Sequence, residues 1–341
     1  MFTIKKLKII LTLLLGILIV SNSAKTVQER QWWEDIQGQI TLGKKEFLLG
    51  EPIYIRVVVT NKGNETVNVG DPIYNCFEFS ADGSPGKPVK KLKNPDISGS
   101  FRTIPVAPGT TFDGVAFINE YLDFPGPGVY TVTCDGCILV HKGLAKDQDR
   151  SIQSISIKGV VTLKLRRGSV AEQEDVLRKY LAHLKSDDRR LQSQASHAFT
   201  VSESSLAVKL LKEALMEKGD PRPSYASRAT WALAKIGTEQ AVQALSNVAL
   251  HSEKNGARVA AIIQLGSSRI IESVPTLREV LSDPSANIRV AALNSLGKIG
   301  DKSSIPEVES RLNDSDEGVR DVASKVYKLL NEGIDKNSDK K

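Results

Sequence analysis

A chain of 341 residues with 40% hydrophobic and 25% charged side chains has the make-up of two ordinary globular domains, which excludes a fibrous or wholly disordered protein. Half of the formal net charge of +6 sits at the very start, where Lys5, Lys6 and Lys8 precede an apolar run from Ile9 to Val20. Without its first 24 residues the chain sets 43 basic against 40 acidic side chains, a balance too even to attract a nucleic acid.

That opening has the layout of a secretory signal: a basic stretch, a short apolar core, then the small residues Ser21, Ser23 and Ala24. The apolar run of 12 residues falls short of the roughly 20 that a spanning helix needs. Residues 1–24 are therefore expected to be a signal peptide cleaved after Ser23 or Ala24, which makes the protein exported, periplasmic or extracellular, with no membrane span left. Residues 25–38 read as a linker.

Residues 39–166 have β chemistry, with apolar or alternating runs of strand length separated by Gly, Pro, Asn and Asp clusters. Ile53, Ile55, Val57 and Val59 share one face of the first clear strand. The turn Asn61–Asn64 and the run Thr66–Val69 suggest a hairpin with it. Further strands are expected at Tyr74–Ser80, Thr110–Phe117, Gly128–Thr133, Cys137–His141 and Ile152–Leu165, with a bulge or turn near Gly159. No helix-length amphipathic segment lies between them to serve as a crossover, so an Ig-like sandwich is favoured over a parallel sheet.

The cysteines Cys76, Cys134 and Cys137 all fall in this half, and in an oxidising compartment one pair of them could form a disulfide. Two arrangements stay open. Asp135 and Gly136 read as a hairpin turn that sets Cys134 opposite Cys137, whereas a bridge to Cys76 would join distant strands. A single CxxC lacks the second ligand pair of a tetrahedral metal site, so no metal is expected. The segment Ser84–Phe101, with Lys90, Lys91 and Lys93, reads as an exposed loop and a place for partner contact.

Leu49, Gly50, Glu51 and Pro52, then Thr60–Gly63, Pro108–Gly109 and Pro127–Thr131, resemble landmarks of Ig-like modules in bacterial exported proteins. They also resemble those of a bacterial family of intracellular proteinase inhibitors. The resemblance covers about 120 residues, and its motifs are mostly turn chemistry. It implies a sandwich and, as a second reading of function, a regulator or inhibitor of an exported enzyme.

Near Arg167 and Gly168 the apolar period changes from two to 3.6, and residues 171–330 read as helical. Arg258, Arg289 and Arg320 stand 31 residues apart, as do Leu250, Leu281 and Leu312. A fixed period means repeated supersecondary units. Val274, Leu277, Val280 and Leu281 line one helix and Ile288, Ala291, Ala292 and Leu296 the next, with Ser282–Pro284 between them. Such a hairpin buries its apolar stripe only by stacking on its neighbours.

These positions, with the ending Leu296–Gly300 and its echo Trp231–Gly237, resemble the HEAT-repeat family in its short bacterial subtype, the one phycobilin lyases share. The resemblance implies an α-solenoid of about five units, the first capping against the sandwich. It also implies a structural ladder in which Asp283 with Arg289, and Asp314 with Arg320, tie turns together. Arg258 belongs to a unit with Ser252 at the acid's place, so its ladder is expected to be incomplete.

Within that family deoxyhypusine hydroxylase holds iron through His-Glu pairs, but none of His141, His183, His197 and His251 is followed by Glu. No phosphate loop or nucleophile elbow stands out. The sequence reads as non-catalytic, with no cofactor, holding a protein or peptide partner on the repeat surface. The polar tail 331–341 has no apolar period and reads as disordered.

Overall fold

The computed structural model describes residues 31–70, 77–83, 88–92, 103–142, 152–202, 204–218 and 223–332. The signal segment, Cys76, Lys93, Phe101 and the end of the tail lie outside them.

The first half is mostly β strand, with two larger sheets that share one core and a third of two short strands. Strands β1 (Ile36–Leu42), β3 (Tyr54–Asn61) and β8 (Thr111–Phe117) form an antiparallel three-stranded sheet in the order β1-β3-β8. Opposite it, β2 (Glu46–Leu48), β11 (Gln153–Arg166), β10 (Gly128–His141), β4 (Val67–Gly70) and β7 (Thr103–Val106) follow one another in that order, and β5 (Phe77–Gly83) also pairs with β10. Alternation sets the faces: Ile55, Val57 and Val59 of β3 meet Tyr130, Val132 and Ile138 of β10 in one buried cluster. Gly159 lies in unbroken register opposite Cys134, not in a bulge; a Cβ there would stand 3.1 Å from that of Ile40, so glycine lets β1 approach β11 closely.

Further local expectations fail. β3 and β4 are not a hairpin, because β3 pairs with β1 and β8 while β4 pairs with β10 and β7. The Asn61–Asn64 turn instead carries the chain from one sheet to the other. Asn61 anchors the crossing: fully buried, it donates from Nδ2 to the carbonyls of Glu65 (2.8 Å) and Val106 (2.9 Å) and accepts from the Gly63 amide (2.9 Å).

Asp135 and Gly136 are no turn either. They lie mid-strand in β10, flanked by Lys158 and Ile157 of β11 and by Glu78 and Phe77 of β5, with Asp135 paired to Lys158 at 2.6 Å. Neighbours on both edges keep the backbone extended. Finally, the presumed linker already has structure at its end: Trp32–Asp35 form a 3-10 turn, Trp32 and Trp33 pack on the core, and β1 starts at Ile36. Of the expected loop, Lys90–Lys91 form a short strand, β6, that pairs with β9 (Leu122–Asp123).

The second half is a stack of helices. In chain order they are α1 (Val170–Leu184), α2 (Arg189–Thr200), α3 (Ser204–Met216), α4 (Pro223–Ile236), α5 (Glu239–His251), α6 (Asn255–Ser267), α7 (Val274–Val280), α8 (Ala286–Ile299), α9 (Ile305–Ser310) and α10 (Glu317–Glu332). They form five consecutive pairs among the described residues. The second helices α2, α4, α6, α8 and α10 pack in one row, and α1, α3, α5 and α7 in another. One apolar cluster runs from Leu177 to Leu330. Each fully buried Leu or Ile in it contributes about 1.5–3 kcal/mol.

Close approach within the second row depends on small residues: a Cβ on Gly266 of α6 would lie 2.4 Å from that of Ser295 on α8. Gly237 and Gly300, one residue past α4 and α8, take positive φ of 64° and 76°. The corresponding place after α6 is held by Arg269 at φ 51°.

Candidate functional site

The ladder residues meet across the turns of the last three pairs. Asp283 Oδ1 accepts from the Ser285 amide at 2.8 Å and Asp314 Oδ1 from the Asp316 amide at 3.0 Å, so each acid first closes its own turn. Arg289 then donates from Nη1 to the Asp283 carbonyl (2.9 Å) and from Nη2 to Asp314 Oδ1 of the next unit (2.5 Å). Arg258 makes the same step forward, pairing with Asp283. Each arginine thus binds a carbonyl of its own unit and the carboxylate of the following one. Burial alone would raise the Asp314 carboxyl, but the hydrogen bonds from Arg289 and the Asp316 amide and the charges of Arg289 and Arg311 hold it below its ordinary value.

At the two ends the pattern changes. Arg320 donates to the carbonyls of Asp314 (2.7 Å) and Ser315 (3.1 Å) but forms no ion pair among the described residues. Ser252 stands where an acid would be; its hydroxyl accepts from the Lys254 amide (3.3 Å) and donates back to the Leu215 carbonyl (3.1 Å). These side chains are consumed in holding turns together.

Cys134 and Cys137 are not brought together. Cys134 and Cys137, three residues apart on one strand, point to opposite faces, and both are free thiols. Burial, then the charge of Asp135, pushes the Cys134 thiol up to about 12. A bridge from Cys76 falls outside the described residues.

Two further regions hold the side chains available for contact. One is the exposed line of the second-helix row. Ile263, Asn294 and Lys325 occupy equivalent positions at 31-residue steps on α6, α8 and α10, and all three are exposed. Trp231 on α4, half-buried, lies 4.9 Å from the His197 ring and under the Lys235 ammonium at 5.9 Å.

The other is the seam between the β domain and the first helical pair. Arg166 spans it, donating to Glu46 (2.9 Å) and Glu172 (2.8 Å), and Gln173 Nε2 donates to the Leu49 carbonyl at 2.8 Å. Glu172 also closes a capping box with Ser169; with Arg166 first and Ser169 second, its carboxyl is lowered to about 2. His197 donates to Glu120 across the seam at 2.7 Å, and the Arg190 guanidinium lies 4.5 Å over the Phe112 ring. Beside these contacts opens a cleft of about 320 Å³, lined on one side by Lys44, Glu51, Tyr54 and Phe117 and on the other by Lys179, Tyr180 and His183. Sequence reading missed it, since its walls come from opposite halves of the chain. The one local signal was Glu51, an acid among the apolar and turn residues that open β3.

The stacked pairs, the tied turns and the small-residue contacts define a helical-repeat protein. Residues 245–328 match the family described as HEAT repeats, and residues 226–251 the phycobilisome (PBS) lyase HEAT-like repeat. Residues 226–328 of the helical stack thus carry HEAT-type repeats. Among solved structures, the chain is similar to the complex of CpcE and CpcF of phycocyanin lyase from Nostoc sp. PCC7120, at 26% identity over 46% of this chain and 65% of that one, with a TM-score of 0.34. Human deoxyhypusine hydroxylase gives 22% identity, 48% and 63% coverage and a TM-score of 0.35. YibA of Escherichia coli gives 18%, 49% and 66%, again at 0.35. The chain spans just under two thirds of the length of each. No curated protein matches the sequence.

Proposed function

We propose that this is an exported, non-catalytic binding scaffold that holds a protein or peptide partner along its second-helix row, with the β domain, read as Ig-like, packed at one end. The observation that carries this reading is the contrast between buried and exposed positions of the repeat. Inside, chemistry recurs every 31 residues: Leu265 with Leu296, Ile288 with Val319, Arg289 with Arg320. Outside, at the equivalent places Ile263, Asn294 and Lys325, it changes from apolar to polar to basic. An array that repeats its core and varies its surface displays a different contact on each unit, which suits recognition of one extended partner. The HEAT repeats themselves favour protein interaction. The even charge balance of the mature chain disfavours nucleic acid, and no described helix is long and apolar enough to cross a membrane.

The test is co-purification from a cell-envelope fraction, wild type beside a variant carrying Trp231→Ala, Ile263→Glu and Lys325→Glu. Wild type is expected to return one stoichiometric protein partner that the variant loses, with circular dichroism unchanged. Equal recovery from both would refute the assigned surface. Amino-terminal sequencing of the mature protein tests export, with a start at Ala24 or Lys25 expected.

A further inference from the structure

We propose that the cleft between the β domain and the first helical pair is a binding site for an alkylguanidinium cation, the side chain of an arginine whose carboxylate reaches the cleft mouth. The inference rests on the cleft alone, so its failure would leave the repeat-surface reading standing.

Glu51 supplies the anion. It is 2% exposed, lines the cleft, and among the described residues neither of its carboxylate oxygens accepts a hydrogen bond of good geometry. Its one charged contact among the described residues is an ion pair to the ammonium of Lys44, a side chain that is 43% exposed and also lies 4.8 Å over the Phe47 ring. A buried carboxylate is ordinarily satisfied by several donors in good geometry. Here it has a single flexible lysine, free to swing into water. The lysine stands in for a better-matched cation: a guanidinium offers a planar fork of donors that fits both carboxylate oxygens at once.

Aromatic rings supply the walls. Tyr54 stands edge-to-face with Phe117 at 6.3 Å, and Tyr180 faces them from α1. Ring faces around a carboxylate attract a cation, and planar guanidinium stacks on them where a hydrated ammonium does not. Burial first, and then the negative charge of Glu51, raises the Tyr54 hydroxyl; burial, then Tyr54 and Glu51, raises Tyr180. Both phenols therefore stay protonated and neutral, and both feel the same carboxylate. The 320 Å³ volume suits a ligand no larger than one amino acid. Lys179, opposite in sign to the buried Glu51, is exposed at the mouth beside His183. An acid floor beneath a basic rim matches a guanidinium at one end of the ligand and a carboxylate at the other.

Isothermal titration calorimetry on the full mature protein tests this with L-arginine, agmatine, N-acetyl-arginine and citrulline. Arginine and N-acetyl-arginine are expected to bind, agmatine more weakly for want of a carboxylate, and neutral citrulline about tenfold or more weaker than arginine. Stronger binding of N-acetyl-arginine than of arginine would assign the site to a peptide carboxy-terminus, the reverse to the free amino acid. Glu51→Gln should weaken arginine by about tenfold or more. Lys44→Ala, at an exposed position, should tighten it several-fold by removing the internal competitor. The idea is overturned if no guanidinium binds wild type or Lys44→Ala at millimolar concentration, if citrulline equals arginine, or if Lys44→Ala weakens binding. Should Glu51→Gln fail to fold, the Lys44→Ala and citrulline arms still decide.

Discussion

Replacing Arg289 by Ala removes the buried ion pair between the fourth and fifth helical pairs and leaves the more exposed Arg278–Glu307 pair in place. Two consequences add. The carbonyls of Asp283 and Pro284 lose their donor, at 2.9 and 3.2 Å, and Asp314, with a side chain 4% exposed, keeps only the Asp316 amide and Arg311 at 3.6 Å. Breaking a buried ion pair from one side costs about 3–5 kcal/mol; because Arg311 retains part of the attraction, we expect the lower end, about 3 kcal/mol. Arg320→Ala is the internal control. It removes the same kind of carbonyl bonds but no ion pair, so about 1 kcal/mol is expected. The gap of about 2 kcal/mol isolates the step between units. Urea unfolding followed by far-UV circular dichroism at neutral pH measures both. Acid closes the gap in a stated direction: Asp314 titrates below its ordinary 3.8, so the pair's contribution is whole above that value and is lost as pH falls through the depressed one. Equal losses for the two variants, or a gap that persists in strong acid, would refute the ladder as a carrier of stability.

Arg269→Gly should stabilise the stack by about 1 kcal/mol, because it places glycine at the positive-φ position that Gly237 and Gly300 hold after other second helices; a lower urea midpoint would contradict this. Leu296→Asp puts a charge at a site only 1% exposed and should unfold the helical half, so an unchanged circular dichroism melt would count against the packing of α8. Cys134, buried and with its thiol raised to about 12, should react with a thiol reagent only on unfolding; rapid modification of the native Cys137→Ser variant at that residue would refute its burial.

The helical half was readable because each unit must solve the same packing problem. Leu296 repeats Leu265 and Ala291–Ala292 sit where two helices meet, so burial is written directly into a 31-residue period. The β half was readable only along each strand. Alternation placed Ile55, Val57 and Val59 on one face, yet alternation says nothing about which strand lies alongside. The short connection after Asn61 therefore suggested a hairpin, when the buried Asn61 side chain instead fastens a crossing between sheets. Asp-Gly at 135–136 suggested a turn, and partners on both edges overrode it. The cleft was out of reach for the same reason on a larger scale: Glu51 and Tyr180 are distant in sequence, and only the docking of α1 against the β domain brings them to one cavity.

That docking also bears on the first helical pair. A helical pair inside the array has neighbours on both sides, whereas each end exposes an apolar flank. On α10, Val319, Ala323, Val326 and Leu330 face inward, while Asp321, Ser324, Lys325 and Lys328 face water. The first pair follows another course. Phe117 of β8 and Ala198 of α2 are buried against each other, with Tyr54, Val115, Tyr180 and Val201 around them, so the β domain itself covers the open flank. Loss of the β domain would remove Phe117 and the Glu51 side of the cleft and leave Tyr180, Ala198 and Val201 uncovered on the helical side. The contact between the two halves, unlike in chemistry, thus covers the open flank of the first pair and sets one end of the second-helix row against the β domain.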